Sequence, residues 1–152
     1  MWQKLIGTRS SLSLAIVRLV LGLVMFPHGA QKMLGWFGGY GFSGTMGAFT
    51  HHMGIPAPLA FLAIAAEFFG GLGLIVGFLS RIAAFGVLTT MVVAVLTAHI
   101  HNGFFMNWAG TNKGEGFEYH LLAIAMALAV VIAGAGAPSI DRALNRSGSA
   151  AR

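Results

Sequence analysis

The sequence predicts an all-α membrane protein, a bundle of four transmembrane helices with both termini in the cytoplasm. Of its 152 residues, 57% are hydrophobic and 9% are charged, whereas a soluble domain carries about 25% charged residues. Its mean hydropathy is +0.80. The apolar residues also fall into four unbroken runs, each close to the ~20 residues that a helix needs to cross a bilayer core. Finally, the basic residues divide unevenly between the connecting segments. Unbroken runs exclude a transmembrane β-barrel, whose strands alternate. In lipid the backbone must satisfy its own hydrogen bonds, so the runs are helices.

The first run covers about 12–32 and meets the breaker sequence Phe26-Pro27-His28-Gly29 near its end. Lys4 and Arg9 give it a basic start. It is longer than the apolar part of a signal peptide and no A-x-A-like site follows, so it is read as a helix. The second run, about 57–78, follows Ile55-Pro56-Ala57-Pro58, and the third covers about 82–101. The fourth, about 117–137, stops at Gly134-Ala135-Gly136-Ala137-Pro138. Residues 1–141 therefore read as one transmembrane domain, and 142–152 as a flexible basic tail. With four spans, the termini and the turn at 79–81 share one side. That side holds the six residues Lys4, Arg9, Arg81, Arg142, Arg146 and Arg152, against the two residues Lys32 and Lys113 on the other. The positive-inside rule then places both termini in the cytoplasm. The scattering of these residues, with no basic–aromatic patch, excludes nucleic acid as a partner. The outward loops, about 33–56 and 102–116, are rich in Trp, Tyr and Phe, which suits either an interfacial belt or a cap over a site. Gly73 and Gly77 form a small-xxx-small pair suited to close helix packing.

The buried polar residues carry the functional information, because a charge inside a span costs at least about 2.5–3.5 kcal/mol. Arg18 lies ten residues from His28, roughly 15 Å along a helix. Glu67 lies at a similar depth below the start of the second run, so the two opposite charges are expected to pair. A second group gathers nearer the outer surface. His28 and Lys32 are four apart and share a helix face, His99 and His101 end the third run, and Glu118 and His120 open the fourth. Residues two apart point about 200° away from each other. Only one member of each of these last pairs can face inward, and the expectation is Glu118 with one of His99 and His101. His51 and His52 are expected to be solvated.

There is no cysteine, which excludes disulfides, a thiolate nucleophile and Cys-ligated metal. Imidazoles and carboxylates suit Zn, Cu, Fe or haem, and His28, His99, His101 and His120 are the residues that would hold one. No H-x-x-x-H or H-E-x-x-H spacing supports a metal site. Histidine also exchanges protons near neutral pH, as oxidation of a quinol requires.

These elements in order are similar to the DoxX family of small bacterial membrane proteins: Arg18; Pro27-His28-Gly29 with Lys32; Glu67-x-x-Gly70-Gly71 with Leu74 and Gly77; Arg81; Gly103-Phe104-Phe105; Glu118-Tyr119; and Gly134-x-Gly136-x-x-Ser139-Ile140-Asp141. The resemblance implies a four-helix inner-membrane protein. It also implies a link to quinone-dependent sulfur oxidation, quinone resistance or redox-stress complexes. It carries Arg18, His28, Lys32, Glu67 and Glu118 over as site residues, while His99, His101 and His120 fall outside the family pattern. The sequence thus points to a redox-associated protein binding a quinone or a similar small apolar ligand in the outer half of the bundle. The expected ligand-binding residues are Arg18, His28, Lys32, Glu67, His99, His101 and Glu118. Such a protein would act alone, as a homo-oligomer, or in a complex with redox proteins, and whether it is itself a catalyst stays open. The alternatives are a non-catalytic anchoring subunit of a larger complex and a small transporter or channel. The last is disfavoured by the absence of inverted repeats.

Overall fold

The computed structural model describes residues 5–150; Lys4 and Arg152, counted above among the basic residues, lie outside it. All regular structure among the described residues is helical. The main helices are α1 (Leu12–Leu34), α2 (Gly41–Gly47), α3 (Ala57–Val76), α4 (Ser80–Ala94), α5 (Glu118–Ala133) and α6 (Ile140–Ala150). A wide turn (Val95–His99) and a single 3-10 turn prolong α4 to Asn102. Three of these helices, Leu12–Leu34, Ala57–Val76 and Ser80–Asn102, are long and apolar enough to cross a membrane, and Glu118–Ala133 is a shorter apolar helix. α1 packs on α3, α3 on α4, α4 on α5 and α5 back on α1. Their shared core contains Leu21, Met25, Leu74, Val87, Met91 and Val130. One end of the bundle carries the tight α3–α4 connection and is called the turn end. The loop end carries residues 35–56 and 103–117.

Several boundaries differ from the sequence reading for local reasons. Ser11 caps α1 by accepting from the Leu14 N–H at 3.3 Å. The helix then runs through Pro27 to Leu34. Proline removes one donor but its φ is helical, and the neighbouring α3 holds this stretch in place. α5 stops at Ala133 because Gly134 takes a φ of +88°, and residues 134–139 fold back beneath the bundle. At about 1.5 Å per residue, α5 is shorter than the expected run over 117–137. The expected flexible tail instead continues as α6 up to Ala150. The Ser139 hydroxyl starts that helix by accepting from the Arg142 N–H at 3.2 Å.

The closest helix contact also differs from expectation. A Cβ on Gly29 would lie 2.4 Å from the Phe68 backbone, and one on Gly22 would lie 2.8 Å from the Ile75 nitrogen. The glycines that let backbones meet are therefore Gly22 and Gly29 on α1 and Gly71 on α3, whose Cβ would lie 2.8 Å from the Phe26 backbone. Gly77 does different work, since it ends α3 with a φ of +72°.

The turn end is bound together by polar side chains. Asp141 is 1% exposed, and its carboxylate accepts from the N–H groups of Leu79 at 2.8 Å and Ser80 at 2.9 Å. It thereby caps α4 from a distant segment. Arg81 donates to the carbonyls of Val131, Ile132 and Gly7, satisfying the free end of α5.

Candidate functional site

Arg18 is 4% exposed, but it does not meet Glu67. Its guanidinium donates to the carbonyls of Ala135 (2.8 Å), Ile75 (2.8 Å) and Pro138 (2.9 Å), and also to Leu74. Glu67 instead forms an ion pair with Lys32, in which the carboxylate side chain is 4% exposed and the ammonium side chain 25%. The expected Arg18–Glu67 pair is therefore replaced by two separate arrangements. The physical cause is side-chain lean. Helical side chains tilt toward the N-terminus of their own helix. α1 and α3 are antiparallel, so Arg18 leans toward the turn end while Glu67 leans toward the loop end. Lys32, nearer the loop end, leans down onto Glu67. Because α1 continues past Pro27, Arg18 also lies deeper than a helix ending at His28 would have put it.

Around the Lys32–Glu67 pair the structure gathers His28, Tyr119, His120 and His99. The rings of His28 and Tyr119 lie 6.3 Å apart, those of His99 and His120 4.1 Å apart, and those of Tyr119 and His120 5.5 Å apart. His120 is 6% exposed. Its Nδ1 and the Tyr119 hydroxyl are buried without a hydrogen-bond partner. His99 sits in the wide turn that prolongs α4, and its Nδ1 is 2.9 Å from the carbonyl of Glu115. Wide helical turns are frequent at functional sites, and this one brings the His99 ring against His120.

Glu118 does not join this group. It opens α5, and its carboxylate accepts from the Met106 N–H at 3.1 Å and from the Trp108 indole at 3.3 Å. The loop thus claims it, and the partner two residues on, His120, faces inward in its place. His101 is exposed. The inward pair is therefore His99 with His120, where the sequence reading favoured Glu118. His120 stood only among the weak metal candidates, and Tyr119 was seen only as part of the family pattern. Their helical offset from Glu118 was the one available signal. Among the described residues, no three His, Asp or Glu side chains come together to hold a metal ion.

A cleft of about 1480 Å³ reaches this polar group. Its lining includes Met25 and Glu67, buried in the bundle, and Leu62, Phe69 and Phe85, which are more than half exposed on the outside. A single cleft touching both sets passes between α3 and α4 and opens on the flank of the bundle. Its walls are overwhelmingly apolar, and its polar groups cluster at the loop end. Phe49, Met53 and Ile55 of the first long loop also line it, so that loop covers part of the site.

The family model of DoxX matches residues 13–100, which hold α1 but for its first residue, all of α3 and α4, and the Lys32–Glu67 pair. The chain belongs to the DoxX family. An Escherichia coli (strain K12) relative, "Inner membrane protein YqjF", is 37% identical over 131 residues, covering 86% of this chain and 91% of the relative. A Bacillus subtilis (strain 168) relative, "Putative oxidoreductase CatD", is 27% identical over 115 residues, covering 76% of this chain and 75% of that one. No solved structure matches the chain. This DoxX protein is an integral protein of the inner membrane, and its apolar helices lie in the lipid bilayer. The matched region ends one residue after His99, so the residues that complete the polar group, Tyr119 and His120, lie beyond it.

Proposed function

We propose that this DoxX protein binds a quinone, or a similar small apolar redox ligand, in the α3–α4 cleft. It does so alone or as the membrane subunit of an oxidoreductase. The observation that carries this reading is the pair of unpartnered buried groups at the polar end of the cleft, the Tyr119 hydroxyl and His120 Nδ1. Buried polar atoms in native proteins nearly always have partners, so two orphans on residues that line an apolar cleft suit the carbonyl or hydroxyl oxygens of a ligand. The apolar walls with a few converging polar groups have the character of a small-molecule site. The name of the CatD relative supports a redox setting.

In the bilayer, α5 would complete a four-span bundle despite its length, the turn end and both termini would face the cytoplasm, and the site would lie in the outer half. The excess of basic residues at the turn end supports this orientation. The exposed aromatic side chains at the loop end, of which Tyr40 and Trp108 are 85% and 87% exposed, suit a membrane–water interface. Bound there, a head group would accept hydrogen bonds from Tyr119 or Lys32. His120, its ring tilted against that of His99 at 4.1 Å, offers a path for a proton toward the loop end.

The test is a thermal-unfolding series on the detergent-purified protein. A ligand that binds only the folded state raises Tm by mass action. A tailless benzoquinone analogue should raise Tm in the native protein; Tyr119→Phe, which deletes only an unpartnered hydroxyl, should remove the shift with the unliganded Tm nearly unchanged, and His120→Ala should remove it at a lower unliganded Tm because it empties a buried site. If no quinone shifts Tm up to its solubility limit, the anchoring-subunit reading replaces this one.

A further inference from the structure

The cleft is larger than a head group requires. Pockets for drug-sized ligands measure about 300–1,000 Å³, and this one extends to about 1480 Å³. Part of that volume lies away from the polar end, where the lining reaches Val76, Phe78 and Ile82. From Ala66 toward the turn end, α3 and α4 touch through small residues: a Cβ on Gly86 would lie 3.0 Å from the Cβ of Ala66, and one on Gly70 would lie 3.4 Å from the Ala83 carbonyl. With no side chains to fill it, the seam between the helices is a trough. Phe69 and Val76 on α3, and Ile82 and Phe85 on α4, also line it and are exposed. The trough is continuous with the opening that leads to His120, which is buried and has an unpartnered nitrogen. Polar recognition at one end thus joins an apolar track that follows the helices for roughly 15–20 Å, at about 1.5 Å per residue.

The charges at the polar end narrow the choice of ligand. Lys32 is the one Lys or Arg among the described residues lining the cleft, and it is paired with Glu67. A phosphate head group would find no unpaired fixed cation there. Buried charge without a partner is strongly disfavoured, so an uncharged dione or diol head fits and a phospholipid head does not.

We propose that the ligand is a single-chain, prenyl-type quinone, whose uncharged head lies against Tyr119 and His120 and whose tail lies in the α3–α4 trough. This rests on the head-group reading above and adds the tail-binding track. The track gives the ligand sideways access from the membrane, and it makes the tail a determinant of specificity.

The experiment compares three probes on the detergent-solubilised protein. They are a tailless dimethoxy-methyl benzoquinone, the same ring carrying a decyl chain, and a phosphocholine carrying that decyl chain. Affinities are expressed per mole fraction in the detergent phase, so partitioning alone produces no difference between probes. The decyl quinone should bind about tenfold more tightly than the tailless ring, equivalent to about 1.4 kcal/mol. Val76→Phe places a ring in the trough at an exposed position, nine residues beyond Glu67 toward the turn end. It should lower decyl-quinone affinity about tenfold and leave tailless affinity within about twofold, on the same scale. The phosphocholine should not compete. Equal binding of the two quinones, or a Val76→Phe protein that binds the decyl form normally, overturns the tail track while leaving the head-group site standing. Competition by the phosphocholine at equal affinity overturns it as well, by showing a site for ordinary bilayer lipid. Binding of neither quinone removes the head-group reading and this inference together.

Discussion

Lys32 and Glu67 meet across antiparallel α1 and α3 because each leans toward the N-terminus of its own helix, the lysine downward and the carboxylate upward. The same rule separates Glu67 from Arg18, which leans away toward the turn end. Two buried charges in this chain therefore have unrelated jobs: one belongs to the cleft and the other to the framework.

Removing the carboxylate should test the first job. Glu67→Gln leaves the Lys32 ammonium, itself three-quarters buried, without its counter-charge. Breaking a buried pair costs about 3–5 kcal/mol, and partial exposure of the lysine should keep the loss toward or below the lower end. The Lys32→Met/Glu67→Met double should unfold at a higher temperature than Glu67→Gln. A double variant less stable than the single would show that the pair does more than cancel charge.

Arg18 should respond differently. Arg18→Met strands the carbonyls of Leu74, Ile75, Ala135 and Pro138, and each unsatisfied buried group costs about 1–3 kcal/mol. We expect loss of monodisperse protein in size-exclusion chromatography. Arg18→Lys should restore little, because an ammonium lacks the planar fork that reaches several acceptors. Adding Glu67→Gln should give no rescue. Recovery by that addition would mean that the two charges interact after all.

The glycines offer a matched pair. Gly29→Ala puts a methyl 2.4 Å from the backbone of Phe68, which only a shift of α1 away from α3 can relieve. Gly47 has a helical φ of −59° and open space around its Cβ position. Gly47→Ala should therefore leave Tm unchanged or raise it, through a gain in stability of up to about 1 kcal/mol, while Gly29→Ala should lower it sharply. Similar effects at the two positions would contradict the close α1–α3 approach.

Orientation is testable without purification. A fluorescent protein fused after residue 152 should fluoresce, and alkaline phosphatase at the same place should stay inactive. Active phosphatase there would invert the bundle and move the cleft to the cytoplasmic half.

The sequence by itself determined the class of the protein. Four long apolar runs and a near absence of charge leave only membrane helices, because lipid offers the backbone no other partners. It also marked Arg18, Lys32 and Glu67 as charges that need partners, since a charge retained in such a run needs a reason to be there. The partners of those residues were decided by the tertiary structure. Arg18 and Glu67 look matched when depth is counted along each run, yet side-chain lean on antiparallel helices sends them apart. At the start of α5 the spacing of Glu118 and His120 requires one of them to face outward. Which one does so depends on Met106 and Trp108, ten or more residues away in sequence, whose N–H groups hold the Glu118 carboxylate in the loop. Hydrophobic patterning reports the environment of a whole helix. The identity of one contact depends on the lean, register and loop path of segments far apart in the chain, and only the folded structure brings those together.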